Sequence, residues 1–436
     1  MNFKKLLTAL LIAALSIISI NTESIVLPKQ IEAETIKQDA IVENIPVSKN
    51  SMIMRTSDTP ALLKPRLEGM SPSKKRKYKP VSEAADIARE RLRNHEAYIS
   101  AYVKSDNSNA VEVFEQFEEE LLKETSRGDE GDYMHWDINR EYPSYNSRII
   151  KEGKKRYYYY NFKIEYWYFT TLEQKIQVDN KVKEIIAGFG FTEQTTEYEK
   201  VKAVYDYVCS NVKYSENLDK DIVYTAWSAL FQKEAVCQGY AQLMYRMLKE
   251  AGISVRLIPG YGKGMDIMHG WNIVKIGDCY YNLDSTWDAE YKTAGKEYAY
   301  FLKSDNFLYH TRLSDYNTDI FYSEYPMAEG DYGSGMATLS AKSRKAAFRV
   351  IIPKFKKISR NKIKLVRVAD AKKYQIRYAA DKKMKKSAKS AFTKKNSYKL
   401  KKLKKDKKYY IKFRAYKYID GKKIYTQWSK VKKVKK

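Results

Sequence analysis

The sequence predicts an α+β protein that is followed by an all-β module, and three observations lead to this fold class. A helical pattern, with apolar residues three and four positions apart, runs from Tyr240 to Ala251. Two strand patterns flank the turn pair Gly277-Asp278. From about residue 340 onward, short runs alternate apolar and polar residues among many lysines.

The N-terminal segment predicts export. Residues 1–24 read as a signal peptide, because Lys4 and Lys5 precede an apolar run from Leu6 to Ile20. That run is short for a membrane span, which needs about 20 apolar residues. Residues 25–80 are polar and rich in proline, and we interpret them as a linker or disordered arm. We therefore expect no membrane span once the signal is removed.

Residues 81–191 predict an α+β lead-in domain. Helix patterns cover residues 81–94, 110–124 and 172–187, and strand patterns cover residues 99–103 and 157–170. Alternation in the last strand places aromatic residues from Tyr158 to Tyr168 on one face, which we interpret as sheet packing rather than a ligand platform. His95 and His135 lack the spacing of metal ligands, so no metal site is predicted.

Cys237 precedes the helical stripe and should lie in the first turn of that helix. The positive end of a helix dipole favours a thiolate, which is the reactive form of cysteine. Gly252 supplies a stop signal, and Gly239 leaves room for another backbone or a substrate to approach. The pattern predicts a nucleophile whose backbone N–H can stabilise an oxyanion.

The strands His269–Ile276 and Cys279–Trp287 are predicted to pair around Gly277-Asp278. If the turn has two residues, His269 and Asp284 become diagonal neighbours on one face. A lone cysteine or histidine is usually structural, but these residue types in this order favour a Cys-His-Asp triad. In such a triad the imidazole takes and returns the thiol proton, and the carboxylate orients the ring.

The motifs V-C-Q-G-Y-A, H-G-W-N-I-V and Y-N-L-D-S-T-W-D resemble those of the transglutaminase-like superfamily. The resemblance covers roughly residues 195–310 and implies a papain-like cysteine-enzyme core at residues 192–336. It implies Cys237 as nucleophile, His269 as base and Asp284 as orienting acid. The superfamily includes transglutaminases, proteases, deglycosylating amidases and inactive members, so crosslinking is not implied.

Other residues of this region have weaker signals. Trp227 and Trp271 are predicted to border a substrate cleft, although a core role is as compatible with the sequence. His310 matches a recurrent histidine of such proteins and is not predicted to be catalytic. Cys209 and Cys279 either form a disulfide or are both buried thiols.

The charge is concentrated at the C-terminus. Residues 337–436 contain 38 Lys and Arg but 4 Asp and Glu, a net charge of +34. The whole chain carries +28, which leaves −6 for residues 1–336. The segment L-K-K-D-K-K-Y-Y-I-K-F-R-A-Y resembles a fibronectin type III domain, with Leu403 and Tyr409 spaced as in its tyrosine corner. We predict a lysine-rich β-sandwich over residues 340–436.

These features predict an exported cysteine-dependent acyl-transfer enzyme of the transglutaminase-like type, acting on surface proteins or cell-wall peptides. The alternative is a non-catalytic surface-binding protein that keeps the fold. We expect no metal or organic cofactor, and an anionic cell-wall polymer as partner of the basic module. Export and the acidic remainder disfavour nucleic-acid binding. The expected location is secreted or attached to the wall of a Gram-positive-type bacterium.

Overall fold

A computed structural model describes residues 43–44 and 77–435, except 294, 307–308, 336–337, 386–387, 402 and 405–406. The predicted signal peptide and most of the predicted linker lie outside the described residues. Within the part of the chain that the structure describes, no helix is long and apolar enough to cross a membrane.

The first layer is a four-stranded antiparallel sheet with the strand order β1-β3-β4-β2. Its strands are β1 (Glu43–Asn44), β2 (Tyr98–Ser105), β3 (Ile138–Glu152) and β4 (Lys155–Tyr168), and its helices are α1 (Val81–Arg93) and α2 (Ala110–Leu121). Phe162 of β4 is buried against Phe114 and Phe117 of α2. The alternating aromatic face of β4 therefore packs in a core, as the sequence predicts.

The second layer surrounds one central helix. It contains α3 (Asp132–Asp137), α4 (Leu172–Gly188), α5 (Glu197–Asn211), the short strands β5 (Lys213–Tyr214) and β6 (Glu234–Ala235), and α6 (Cys237–Glu250). Every residue of α6 from Gln238 to Leu248 is buried, as expected for a helix enclosed on all sides. The helix is therefore held by packing from the residue directly after Cys237 onward.

A second antiparallel sheet, with the order β10-β7-β8-β9, packs against α6. Its strands are β7 (Val255–Gly262), β8 (Met268–Ile276), β9 (Cys279–Leu283) and β10 (His310–Arg312). Ile276 pairs with Cys279 and Asn272 with Leu283, which is the predicted two-residue turn and register. The predicted second strand is too long, because α7 (Ser285–Thr293) begins directly after Asp284.

Two short helices connect this region to the C-terminal strands: α8 (Asp319–Glu324) and α9 (Ala341–Arg349). Ser340 caps α9 by accepting a hydrogen bond from the Ser343 N–H. Ser343 Oγ in turn lies 2.9 Å from the Met327 nitrogen, which donates to it. Helix α9 is thereby held to the region that contains α8 and the second sheet.

The C-terminal residues form two antiparallel sheets around one core. One sheet contains β11 (Phe355–Ser359), β12 (Lys362–Leu365) and β15 (Ser397–Lys399). The other contains β13 (Lys373–Ala379), β14 (Lys389–Thr393), β16 (Lys408–Ile419), β17 (Lys422–Tyr425) and β18 (Lys432–Lys435). The Tyr409 hydroxyl accepts a hydrogen bond from the Lys404 N–H at 3.0 Å, as a tyrosine corner would. The fibronectin type III assignment itself stays a prediction.

Candidate active site

Cys237 is the first residue of α6 and is only partly buried. The chain reaches it through β6, which pairs in parallel with β5, and the Val236 N–H donates to the Val223 carbonyl. Two residues after Cys237, a Cβ at Gly239 would lie 2.9 Å or less from the Val223 and Thr225 carbonyl oxygens. The predicted close approach of another backbone is therefore present, and only glycine fits it.

His269 lies on β8 and is 5% exposed. Its Nε2 lies 2.7 Å from Asp284 Oδ2, and its ring lies close enough to the Cys237 thiol for the two groups to interact. Because Asp284 engages Nε2, Nδ1 is the nitrogen that can exchange a proton with sulfur. The three residues predicted as a triad are thus brought together in the order thiol, imidazole, carboxylate.

Asp284 is 1% exposed and has all of its acceptor capacity in use. Oδ1 accepts from the Thr286 and Trp287 N–H groups at 3.1 and 3.2 Å, so Asp284 caps α7. Oδ2 faces His269 at 2.7 Å and His310 at 2.8 Å. Burial by itself raises the pKa of Asp284, but the two histidines outweigh it and hold the pKa well below its usual range.

The same arrangement keeps a proton on His269. Burial by itself lowers the pKa of this imidazole, but the charge and hydrogen bond of Asp284, together with the Cys237 thiol, raise it well above the usual value. The protonated ring of His269 lies between the Asp284 carboxylate, which holds it in place, and the Cys237 sulfur. It also places a proton where a leaving group can take it.

Residues 188–285 match the family model described as the transglutaminase-like superfamily. The match includes Cys237, His269 and Asp284. The chain contains a transglutaminase-like domain.

The chain is also similar to curated proteins. The chain is 26% identical to the human kyphoscoliosis peptidase over 134 residues, which is 28% of this chain and 19% of that protein. It is 25% identical to the mouse kyphoscoliosis peptidase over 127 residues, 26% of this chain and 19% of that protein. The chain therefore spans about a fifth of the length of these relatives. A solved TGase structure aligns at 16% identity over 32% of this chain and 44% of that chain, with a TM-score of 0.24.

His310 lies outside the matched residues, and the sequence does not predict its contact with Asp284. It reaches Asp284 because β10 pairs with the edge of β7, where His310 lies opposite Gly262. Burial lowers the pKa of His310. The Asp284 carboxylate has the opposite effect on this pKa, but a smaller one. A match to a recurrent histidine was the available signal, but nothing local to residue 310 indicates its distant partner.

Two tryptophans enclose the histidines. The Trp287 ring stacks on His269 and on His310, with centroid distances of 4.7 Å in both cases. Gly262 makes room for it, because a Cβ there would lie 2.9 Å from the Trp287 ring. Trp271 lies 4.6 Å from the His310 ring and is 1% exposed.

Trp227 lies apart from these contacts. Its indole N–H donates to Gln177 Oε1 of α4 at 2.6 Å, and its ring stacks on Phe231 at 5.6 Å. The substrate-binding role given to Trp227 and Trp271 stays a prediction. In the structure, Trp271 packs in a buried cluster and Trp227 contacts α4.

Two tyrosines lie beside the Cys237 thiol, and the sequence analysis did not identify them. Burial is the main cause that raises the pKa of Tyr214 and of Tyr224, and the Cys237 thiol raises both pKa values further. Each hydroxyl therefore keeps its proton next to the sulfur. Tyr224 donates to the Leu218 carbonyl at 3.3 Å. Tyr214 reaches its place through β5, where it pairs with Ala235, two residues before Cys237.

The remaining thiols are free and buried. The Cys209 thiol donates to the Ser285 carbonyl at 3.6 Å, and Cys279 begins β9. The sequence left open whether Cys209 and Cys279 form a disulfide or are both buried thiols. In the structure they are both buried thiols. The donor atoms of His269, Asp284 and His310 lie within 4.8 Å of one another, so this set could hold a metal ion, although none was predicted.

Proposed function

We propose that the protein is an exported cysteine-dependent acyl-transfer enzyme that acts on surface proteins or cell-wall peptides. The observation that carries this proposal is the contact of the Cys237 thiol with His269, whose Nε2 faces Asp284 Oδ2 at 2.7 Å. A sulfur, a proton carrier and an orienting carboxylate in this order are the requirements for forming a thioester.

In the proposed reaction, Cys237 sulfur attacks a carboxamide or peptide carbonyl carbon. The C–S bond forms as electrons move onto the carbonyl oxygen, toward which the Cys237 N–H at the start of α6 can point. His269 then gives its proton to the departing nitrogen, and the C–N bond breaks. The products of this half-reaction are ammonia or an amine and an acyl-enzyme thioester.

The second half-reaction uses the same groups in reverse. His269 removes a proton from water or from an amine, the oxygen or nitrogen attacks the thioester, and sulfur leaves. Water gives hydrolysis or deamidation, whereas a lysine amine gives a crosslink. The name of the curated peptidase relatives supports hydrolysis of peptide bonds as one of these outcomes, in a chain that matches a fifth of their length.

Substrate profiling tests this proposal. The protein is incubated with glutamine-containing peptides and a labelled amine, while released ammonia and incorporated label are measured together. We expect ammonia or peptide cleavage with the natural protein and none with Cys237→Ala. Cys279→Ala is the matched control, because that thiol lies outside the triad and its loss should leave turnover unchanged.

A non-catalytic binding protein makes a different prediction for the thiols. If Cys237 is a nucleophile, iodoacetamide should alkylate it at neutral pH at least about tenfold faster than Cys209 or Cys279. Burial raises the pKa of the latter two thiols, which keeps them protonated and slow. Equal rates at all three cysteines in the folded protein would favour the binding protein.

Export and wall association form the other part of the proposal. The sequence of residues 1–24 supports secretion, and the +34 net charge of residues 337–436 supports attachment to an anionic cell-wall polymer. Such attachment would hold the enzyme near its substrates. Sequencing the N-terminus of protein recovered from culture medium and from washed walls tests export, because an intact residue 1 would contradict signal removal.

A further inference from the structure

The outer face of the large C-terminal sheet carries cations stacked on aromatic rings. Lys412 Nζ and Arg414 Cζ lie 4.7 and 4.5 Å from the centroid of Trp428, and Arg414 Cζ lies 3.8 Å from that of Tyr425. Lys423 Nζ lies 5.2 Å from the Tyr425 centroid. We call these five residues, together with Arg377, the cationic ladder.

Repulsion within the cationic ladder is not relieved by acidic residues. Arg377 of β13 lies directly opposite Lys412 of β16, and like charges in that position destabilise a sheet. Burial lowers the pKa of Lys412, and Arg377 and Arg414 lower it further. Among the described residues, no ion pair joins a carboxylate to any of the four ladder cations, whereas Asp370 pairs with Lys417.

A cleft of about 350 Å³ adjoins the ladder. Arg414, Lys423, Tyr425 and Trp428 line it, and so does Arg349 at the end of α9. The Arg349 guanidinium lies 3.0 Å from Asp319, which partly neutralises it. Asp319 also lines the cleft, so its positive charge comes mainly from Arg414 and Lys423.

The spacing of the ladder cations favours an extended ligand over a single ion. They occupy three adjacent strands, a width of about 10 Å, and Lys412 and Arg414 are separated by about 7 Å along one strand. One phosphate ion cannot form charge-assisted hydrogen bonds, which are about 2.8 Å long, to all four cations at once. Successive anionic groups on a chain can do so.

We propose that the cationic ladder and the adjoining cleft bind consecutive phosphate groups of a linear anionic polymer. This site deepens the wall-attachment part of the proposed function and rests on it. An uncharged glycan fits less well, because Trp428 already has two cations over it and Tyr425 also has two, so these rings are not free to stack on sugars.

The test compares two triple variants of the full chain that remove equal charge. The site variant is Lys412→Gln/Arg414→Gln/Lys423→Gln. The control variant is Lys356→Gln/Lys357→Gln/Lys364→Gln, which changes exposed lysines of β11 and β12. Binding of end-labelled long-chain inorganic polyphosphate is followed by fluorescence anisotropy, from low salt to about 1 M, where the Debye length is about 3 Å.

We expect the site variant to weaken binding by more than about tenfold and to flatten its salt dependence, and the control variant to weaken it by less than about threefold. Equal losses in the two variants would overturn the site and leave only diffuse attraction. Equally tight binding of neutral dextran would overturn recognition of phosphate. No binding by the natural protein would remove both the site and the wall-attachment proposal.

A measurement on the natural protein keeps the result independent of variant folding. Polyphosphate should protect Lys412 and Lys423 from chemical acetylation, mapped by mass spectrometry, more than it protects Lys356 and Lys364. Equal protection of both pairs would overturn the site. Polyphosphate offers no carbonyl to Cys237, so failure of the acyl-transfer proposal would not alter either experiment.

Discussion

The two carboxylate oxygens of Asp284 make different contacts, and substitutions can remove one set of contacts while keeping the other. Oδ1 caps α7, while Oδ2 holds His269 and His310. Asp284→Asn keeps one oxygen for the cap but turns an NH₂ group toward Nε2 of His269, which forces the ring proton onto the nitrogen facing sulfur. Loss of the correct tautomer reaches about 10⁴-fold in serine triads.

We therefore expect Asp284→Asn and Asp284→Ala to lose thioester formation to a similar extent but to differ in stability. Only the alanine variant should also lose the cap, which is typically worth about 1 kcal/mol. Acyl-enzyme bursts and urea unfolding measure the two effects. Full activity in Asp284→Asn would show that the carboxylate does not orient the ring.

Asp288 lies next to this site, and its pKa is shifted in the opposite direction from that of Asp284. The Tyr205 hydroxyl lies 2.7 Å from Asp288 Oδ2 and 2.8 Å from the Asp284 carbonyl, yet it has one hydrogen to donate. A proton on Asp288 Oδ2 completes this network, since Tyr205 can then donate to the carbonyl and accept from Asp288. Burial, which exceeds the opposing hydrogen bonds, raises the pKa of Asp288 to about 6.

This raised pKa predicts a pH dependence of stability. The folded state binds the Asp288 proton more tightly than the unfolded state, so the stabilisation is complete below the unfolded value and is lost as pH rises through about 6. The full effect is about 3 kcal/mol. Asp288→Asn supplies a permanent donor to Tyr205 and should remove this component.

Urea unfolding of the natural protein and of Asp288→Asn between about pH 4.5 and 7.5 measures this effect. Other groups titrate alike in both proteins, so the difference between the two curves isolates Asp288. We expect the Asp288→Asn variant to gain stability relative to the natural protein as pH rises. Parallel curves would contradict the raised pKa.

At the scale of elements, the position of α6 depends on one glycine. A methyl group at Gly239 would lie 2.8 Å from the Thr225 carbonyl oxygen and 2.9 Å from the Val223 carbonyl oxygen, and neither backbone can move independently of the core. Gly239→Ala should displace the start of α6, reducing acyl-enzyme formation by more than about tenfold and stability by about 1–3 kcal/mol.

Gly188→Ala is the matched control for this prediction. A Cβ at Gly188, the last residue of α4, has no neighbouring atom within 4 Å. Alanine there should be neutral or should stabilise the helix by up to about 1 kcal/mol. Thermal unfolding and single-turnover rates of both variants distinguish the outcomes, and wild-type rates in Gly239→Ala would mean that α6 tolerates the shift.

The elements also show which features the sequence can predict. The register of β8 and β9 follows from the two-residue turn at Gly277-Asp278, and it correctly places His269 beside Asp284. The alternation of apolar and polar residues does not predict where β9 ends, because the strand ends at the point where the Asp284 side chain caps α7. The contact of His310 depends on β10 pairing with β7, about fifty residues away along the chain, and local patterns carry no such information.

At the scale of the whole molecule, α9 belongs to two cores at once. Ala346 is buried in a cluster with Trp271 and Ile273, whereas Phe348 is buried in the core of the C-terminal sheets. A boundary at residue 340 would therefore remove a helix that the first of these clusters uses. A truncation that removes the lysine-rich strands should retain residues 341–349 and end at residue 352.

We expect a chain ending at residue 352 to keep the thiol reactivity that we propose for Cys237 and to lack the proposed attachment to walls. The triad and all elements around α6 precede this point, so iodoacetamide should alkylate Cys237 at a rate within about twofold of that in the full chain. The truncated chain lacks Lys412, Arg414 and Lys423, together with the rest of the strongly basic end. Only the full chain should bind isolated cell walls at low salt, and it should be released near 1 M salt, where the Debye length falls to about 3 Å. If the truncated chain bound walls with unchanged affinity, attachment would reside in the first 352 residues and the sandwich would be a spacer.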